Sequence, residues 1–127
     1  MSENLQNLLG EFVKEAGLDS VASAIVDLDG KELAYKIHGT FDKEFNSQRA
    51  ASVFAMVVNF LNKTLGGIHF EEDEVEEIVV TSKNGYYILR VIETEKCFMG
   101  VAVAKEEDVG KIRKLIKKYE PLFLENL

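Results

Sequence analysis

The chain has 127 residues, 46% hydrophobic and 29% charged, which is the composition of an ordinary globular domain with one core rather than of a disordered or fibrous chain. Fifteen Lys and Arg against 22 Asp and Glu leave a net charge of -7, which repels nucleic-acid phosphates and anionic lipid. A single cysteine, Cys97, excludes an internal disulfide, and neither a secretory leader pattern nor an apolar run long enough to span a bilayer is present, so a cytoplasmic protein without direct membrane insertion is expected.

Apolar residues at Leu5, Leu8, Leu9, Phe12, Val13 and Ala16 lay one stripe along a helix that Gly17 stops. Val21 to Leu28 and Leu33 to Ile37 read as two strands joined by a tight turn at Asp29-Gly30. Asp27 and Asp29 lack the further acids and terminal Glu of a calcium loop, so the turn reading stands. A long helix starts between Asp42 and Ser47 and ends at Gly66-Gly67. Its stretch from Ala50 to Leu61 is apolar over most of the circumference, more than one sheet can cover, which predicts a second helix or a second molecule against it. Ala51 and Ala55, four apart, suit a close backbone approach.

The run Glu71 to Glu77 holds six acids and one Val and reads as a solvated connection with freely exposed carboxylates. Three strands follow, Glu77 to Ser82, Tyr86 to Glu93 and Cys97 to Ala104, with Asn84-Gly85 as the hairpin signal between the first two. The second and third are apolar on consecutive positions, which predicts helices on both faces of the sheet. Val109 to Leu124 is an amphipathic helix with Ile112, Leu115, Ile116, Tyr119 and Leu122 or Phe123 inward and Lys111, Arg113, Lys114, Lys117 and Lys118 in solvent, and Pro121 is expected to end or kink it near Glu120. The order predicts an α+β sandwich, helix layer on sheet on helix layer.

The motifs of self-contained catalysis are missing: no phosphate loop, dinucleotide fingerprint, zinc-protease helix or Cys-x-x-Cys pair. No cofactor or metal is expected. An enzyme would need His38, His69 and Cys97 to converge, and a small-ligand sensory domain would need a pocket lined by Tyr35, Tyr86, Tyr87 and Phe98. Arg49 is the first candidate among the three arginines for a charge lent in trans to a GTPase, against the plainer reading of a helix surface charge.

In combination, the opening amphipathic helix, the strand VASAIVDLDGKELA with its Asp29-Gly30 turn, the Ala-rich long helix, the Asn84-Gly85 hairpin and CFMGVAVA leading through Val109-Gly110 into the last helix resemble the roadblock / dynein light-chain family over nearly the whole chain. The resemblance implies one roadblock-like domain over residues 1–127, with a profilin-like layering: a five-stranded antiparallel sheet, the long helix on one face and the terminal helices on the other. It implies a homodimer in which the strand bearing Ile78 and Val80 pairs edge to edge and the long helices meet through Ala51, Ala55, Val58 and Asn62. It further implies a non-enzymatic regulator or scaffold of a small Ras-like GTPase, most similar to the prokaryotic MglB-type members. Arg49, Ser52, Met56, Asn59 and Lys63 are the candidates for the GTPase contact. Such a protein speeds GTP hydrolysis by positioning the GTPase's own switch residues or by lending a charge, and positioning is favoured. The short stretch after the last helix leaves little room for an additional partner-binding segment.

Overall fold

A computed structural model describes residues 3–27, 29, 31–39, 47–67, 74–93 and 96–127, the side chains of residues 47–55 and 93 excepted. The elements run α1 (Glu3–Ala16), β1 (Val21–Asp27), β2 (Glu32–His38), α2 (Ser47–Gly67), β3 (Glu77–Thr81), β4 (Gly85–Glu93), β5 (Cys97–Ala104) and α3 (Val109–Glu125). The five strands form one antiparallel sheet in the order β2-β1-β5-β4-β3, so β2 and β3 are its edges.

Alternation along each strand sorts its side chains between two helix layers. Val21, Ile25, Ile88, Ile92, Cys97, Met99, Val101 and Val103 pack with Leu5, Leu9, Phe12, Ile112, Ile116 and Phe123, placing α1 and α3 together on one face. Ala24, Val26, Leu89 and Phe98 form the opposite face, on which Val58 of α2 rests. The predicted three-layer α+β architecture is therefore present, with both faces of the central strands covered.

Local chemistry explains the boundaries. Gly17 takes φ 64 and its N–H donates to the Lys14 carbonyl, ending α1. The Asp27 carboxylate accepts from the N–H groups of Asp29 and Lys31, both at 2.9 Å, so Asp27 organises a turn as expected. Asp108 caps α3 by accepting from the Lys111 N–H at 3.2 Å, and all five basic residues of that helix are exposed, as predicted.

Three expectations need correction. Pro121 does not end α3, which continues to Glu125: Tyr119 and Phe123 are buried and stack at 5.9 Å, while Pro121 and Lys117, whose carbonyl loses its usual N–H partner, both face water. The hairpin turns on Lys83 and Asn84, and Gly85 is already the first residue of β4. A glycine is needed there because a Cβ would lie 2.6 Å from the Val103 carbonyl oxygen, not because the turn demands a positive φ. Finally, Glu77 is not a freely exposed carboxylate; it heads β3 with its side chain only 7% exposed against Arg113. Residues 71–73 of the acidic run and His69 lie outside the described residues.

Candidate functional site

The two sheet edges differ in what covers them. On β2, the Gln6 carboxamide of α1 accepts from the Tyr35 N–H at 3.0 Å and donates to the Tyr35 carbonyl at 2.7 Å, taking the place that a sixth strand would fill. Among the described residues, β3 is flanked by β4 alone.

The main-chain direction along β3 follows from its ends. Val91 N–H donates to the Glu76 carbonyl and Ser82 N–H to the Gly85 carbonyl, both in the register that pairs Ile78 with Leu89 and Val80 with Tyr87. Bonded pairs alternate along an antiparallel ladder, so Glu76, Ile78, Val80 and Ser82 point their amides at β4, and Glu77, Val79 and Thr81 point theirs outward. Ile78 and Val80 share the α2 face, whereas Glu77, Val79 and Thr81 share the α3 face. Val79 and Val80 remain 38% and 43% exposed, a β-branched edge with its apolar side chains in solvent.

On its outer side, α2 presents a row that the sheet does not cover. Met56 and Phe60, one turn apart, are 72% and 67% exposed, with Val57, Asn59 and Lys63 also exposed nearby. Of the predicted GTPase-contact residues, Met56, Asn59 and Lys63 thus lie on the outer side of the helix. Val58 packs on the sheet, and the Asn62 carboxamide oxygen accepts from the Val75 N–H at 2.7 Å, tying α2 to the segment that enters β3. The side chains of Arg49, Ala51, Ser52 and Ala55 lie outside the described residues. Phe60 was missed as a surface candidate because helical periodicity reports a wide apolar arc without marking which part of it the sheet takes.

On the other side of β3, an open groove of about 450 Å³ is lined by Glu74, Glu76, Glu77, Val79, Arg90, Arg113 and Lys117. Its arginines are engaged: Arg113 Nε donates to Glu77 at 2.6 Å, and Arg90 Nε to Glu120 at 2.9 Å with Glu76 at 3.8 Å. Both guanidiniums thereby tie the β3–β4 end of the sheet to α3 or to the β3 approach.

The residues of the competing readings do not converge. His38 pairs with Val21 at one end of β1 and Cys97 with Asp27 at the other, six residue steps apart, or roughly 20 Å. Cys97 is buried in the α1–α3 core and His38 is exposed. Among the described residues, no group of three or more His, Cys, Asp or Glu could hold a metal. Tyr35, Tyr87 and Phe98 belong to the α2 face but Tyr86 packs on the opposite core, so these four do not line one pocket. Tyr87 lies over Gly100, where an added Cβ would stand 2.6 Å from the phenol oxygen, and burial pushes its pKa up to about 12. No helix among the described residues is long and apolar enough to cross a membrane.

No family model matches the sequence, and no curated protein matches it. Solved structures do. Myxococcus xanthus MglB is 17% identical, with 98% of each chain covered and a TM-score of 0.76. An MglB with tetrameric arrangement is 16% identical, covering 98% of this chain and 88% of that one, with a TM-score of 0.81. A Roadblock/LC7 domain from Streptomyces avermitilis is 17% identical, covering 96% and 99%, with a TM-score of 0.65. At these identities the likeness speaks for the backbone, and it agrees with the layer order, the strand order and the single long helix on its own face: the chain has the roadblock fold in the form that MglB proteins share.

Proposed function

We propose that this chain acts as one roadblock-like domain: a non-enzymatic, cytoplasmic, homodimeric regulator or scaffold that binds a small Ras-like GTPase. The observation that carries this reading is a pair of exposed apolar features: Met56 and Phe60 on the outer side of α2, and an edge strand, flanked among the described residues by β4 alone, whose Val79 and Val80 remain partly exposed. A large apolar surface of this kind on a charged chain marks an interaction face. The tetrameric arrangement of the similar MglB supports self-association.

In this reading β3 joins a second copy through its outward main chain, with Ile78 and Val80 on one side of the joint. The expected helix seam of Ala51, Ala55, Val58 and Asn62 is narrowed by the fold, because Val58 packs on the sheet and Asn62 binds the Val75 N–H, which leaves Ala51 and Ala55 as the residues of that row through which the long helices approach. The outer residues Arg49, Ser52, Met56, Asn59 and Lys63, with Phe60, form the platform for the GTPase. With Arg90 and Arg113 engaged in ion pairs, a charge lent in trans would come from Arg49, and positioning of the GTPase's own switch residues is the favoured way of speeding hydrolysis.

The test combines solution mass by light scattering with titration against Ras-like GTPases loaded with GDP or a non-hydrolysable GTP analogue. The native chain is expected at twice its own mass and Ala55→Glu at the monomer mass or unfolded. Met56→Glu is expected to keep fold and mass while losing GTPase binding. A native monomer at micromolar concentration overturns the homodimer, and GTPase affinity indifferent to Met56→Glu and Lys63→Glu overturns the platform.

A further inference from the structure

Edge pairing by β3 leaves its register open, and register decides which side chains meet across the joint. A strand paired with its own copy about a two-fold axis is antiparallel, and both members of every cross-strand pair must present the same main-chain face to one another. Residues that turn outward therefore pair with outward ones, odd numbers with odd, and the axis must pass through a single residue of β3. The candidates are Ile78, Val79 and Val80.

From the geometry of β3 we infer that two copies pair with Val79 on the axis. This rests on the edge-pairing reading above and goes beyond it by naming the register and the contacts. Only this register overlaps all five residues of β3 with all five of the second copy. On the α2 side it sets Ile78 against Val80 twice, so that both pairs within β3 are between β-branched apolar side chains, while the polar Glu76 and Ser82 face each other just beyond them. On the α3 side Val79 meets Val79, and each Glu77 faces Thr81 of the second copy.

The neighbouring registers are poorer. With Val80 on the axis, Ile78 lies opposite Ser82 of the second copy. With Ile78 on the axis, Val80 lies opposite Glu76, an exposed carboxylate that the joint would have to desolvate. Cross-strand pairs of β-branched residues stabilise a joint, whereas in these mixed pairs a β-branched side chain of β3 loses its apolar partner and faces a polar one, Ser82 bonded to the Gly85 carbonyl or Glu76 beside Arg90, that the joint desolvates. On β2, by contrast, Gln6 already bonds both main-chain groups of Tyr35 in the middle of the strand, which a pairing strand would have to displace.

The register also makes the charged groove composite. Val79 lines the groove with Glu77 and Arg113, so the second copy's Val79 and Thr81 close its open side, and the two grooves meet at the axis. Glu77 has one carboxylate oxygen, Oε2, on Arg113, while Oε1 is buried without a hydrogen-bond partner among the described residues. The Thr81 hydroxyl of the second copy, directly across, is the donor that reaches it once the terminal torsion of Glu77 turns.

Single-cysteine variants Ile78→Cys, Val79→Cys and Val80→Cys of the full chain, oxidised under mild conditions with a copper–phenanthroline reagent and followed on non-reducing gels, test the register. A residue on the axis stands about 4.5 to 5.5 Å from its own copy, Cα to Cα, within disulfide reach, and a residue one step away about 8 Å, beyond it. Native Cys97 is buried and serves as the uncross-linked control. Val79→Cys is expected to cross-link several-fold faster than either neighbour, and a mixture of Ile78→Cys with Val80→Cys to cross-link better than either alone. A dimer that cross-links preferentially through Val80→Cys or Ile78→Cys overturns the register and leaves edge pairing standing. A dimer by light scattering that cross-links through none of them overturns edge pairing itself, and a monomer overturns the homodimer.

Discussion

The Gln6 carboxamide satisfies both main-chain groups of Tyr35, accepting at 3.0 Å and donating at 2.7 Å, so that one side chain of α1 plays the part of a neighbouring strand at the β2 edge. This contact makes the two edges of the sheet unequal, and in the proposed dimer it is β3 that associates. Gln6→Ala is expected to cost about 1 to 3 kcal/mol, because the partly buried groups of Tyr35 lose their partners, and to produce assemblies beyond the dimer as the β2 edge opens. Urea unfolding and light scattering on the same variant check both effects, and unchanged stability would remove the edge-closing role.

Gly100 and Tyr87 form a second close pair. A Cβ at Gly100 would approach the Tyr87 ring at 3.0 and 3.1 Å and its hydroxyl at 2.6 Å. Gly100→Ala is therefore expected to destabilise by about 1 to 3 kcal/mol through overpacking. Tyr87→Phe removes the nearest of the three contacts, so the double variant should lose less than the sum of the singles. Additive losses in a double-mutant cycle would contradict the contact.

The Tyr87 phenol also predicts a pH dependence. Burial raises its pKa from 10.0 to about 12, which means that the folded state holds the proton over a range in which the unfolded chain releases it. Its contribution to stability is full below pH 10 and is lost as the pH rises toward 12, at a slope of at most about 1.4 kcal/mol per pH unit. Chemical denaturation at several alkaline pH values should show this fall in the native chain and a shallower one in Tyr87→Phe. Equal slopes would assign the alkaline loss to other groups.

Pro121 sits inside α3 with no N–H to offer Lys117, on the exposed side of a helix that Tyr119 and Phe123 hold in place. Pro121→Ala restores that hydrogen bond and is expected to stabilise the protein by about 1 kcal/mol or more, without altering assembly. Thermal unfolding checks it; a lower melting temperature would show that the proline shapes the end of α3 in a way that the helix needs.

Much of the fold was legible in the residues. The stripe from Leu5 to Ala16, the stop at Gly17, the two hairpins and the consecutive apolar residues of β4 and β5 are local signals, and each acts through the few neighbours that sequence spacing already defines. The excess apolar arc of α2 was legible for the same reason. Periodicity did not divide that arc: Val58 went to the sheet and Phe60 to solvent.

Tertiary structure alone decided the rest, because the deciding partners are distant in sequence. Pro121 failed to stop α3 because buried neighbours on both sides outweigh one missing hydrogen bond. Glu77 left the solvated acidic run because Arg113, 36 residues away, binds its carboxylate. Gly85 is required by the Val103 carbonyl and not by its turn. Gln6 takes both main-chain groups of Tyr35 on the β2 edge from 29 residues away. Local propensity thus determined which elements form, and long-range contacts determined which of their surfaces remained to be used.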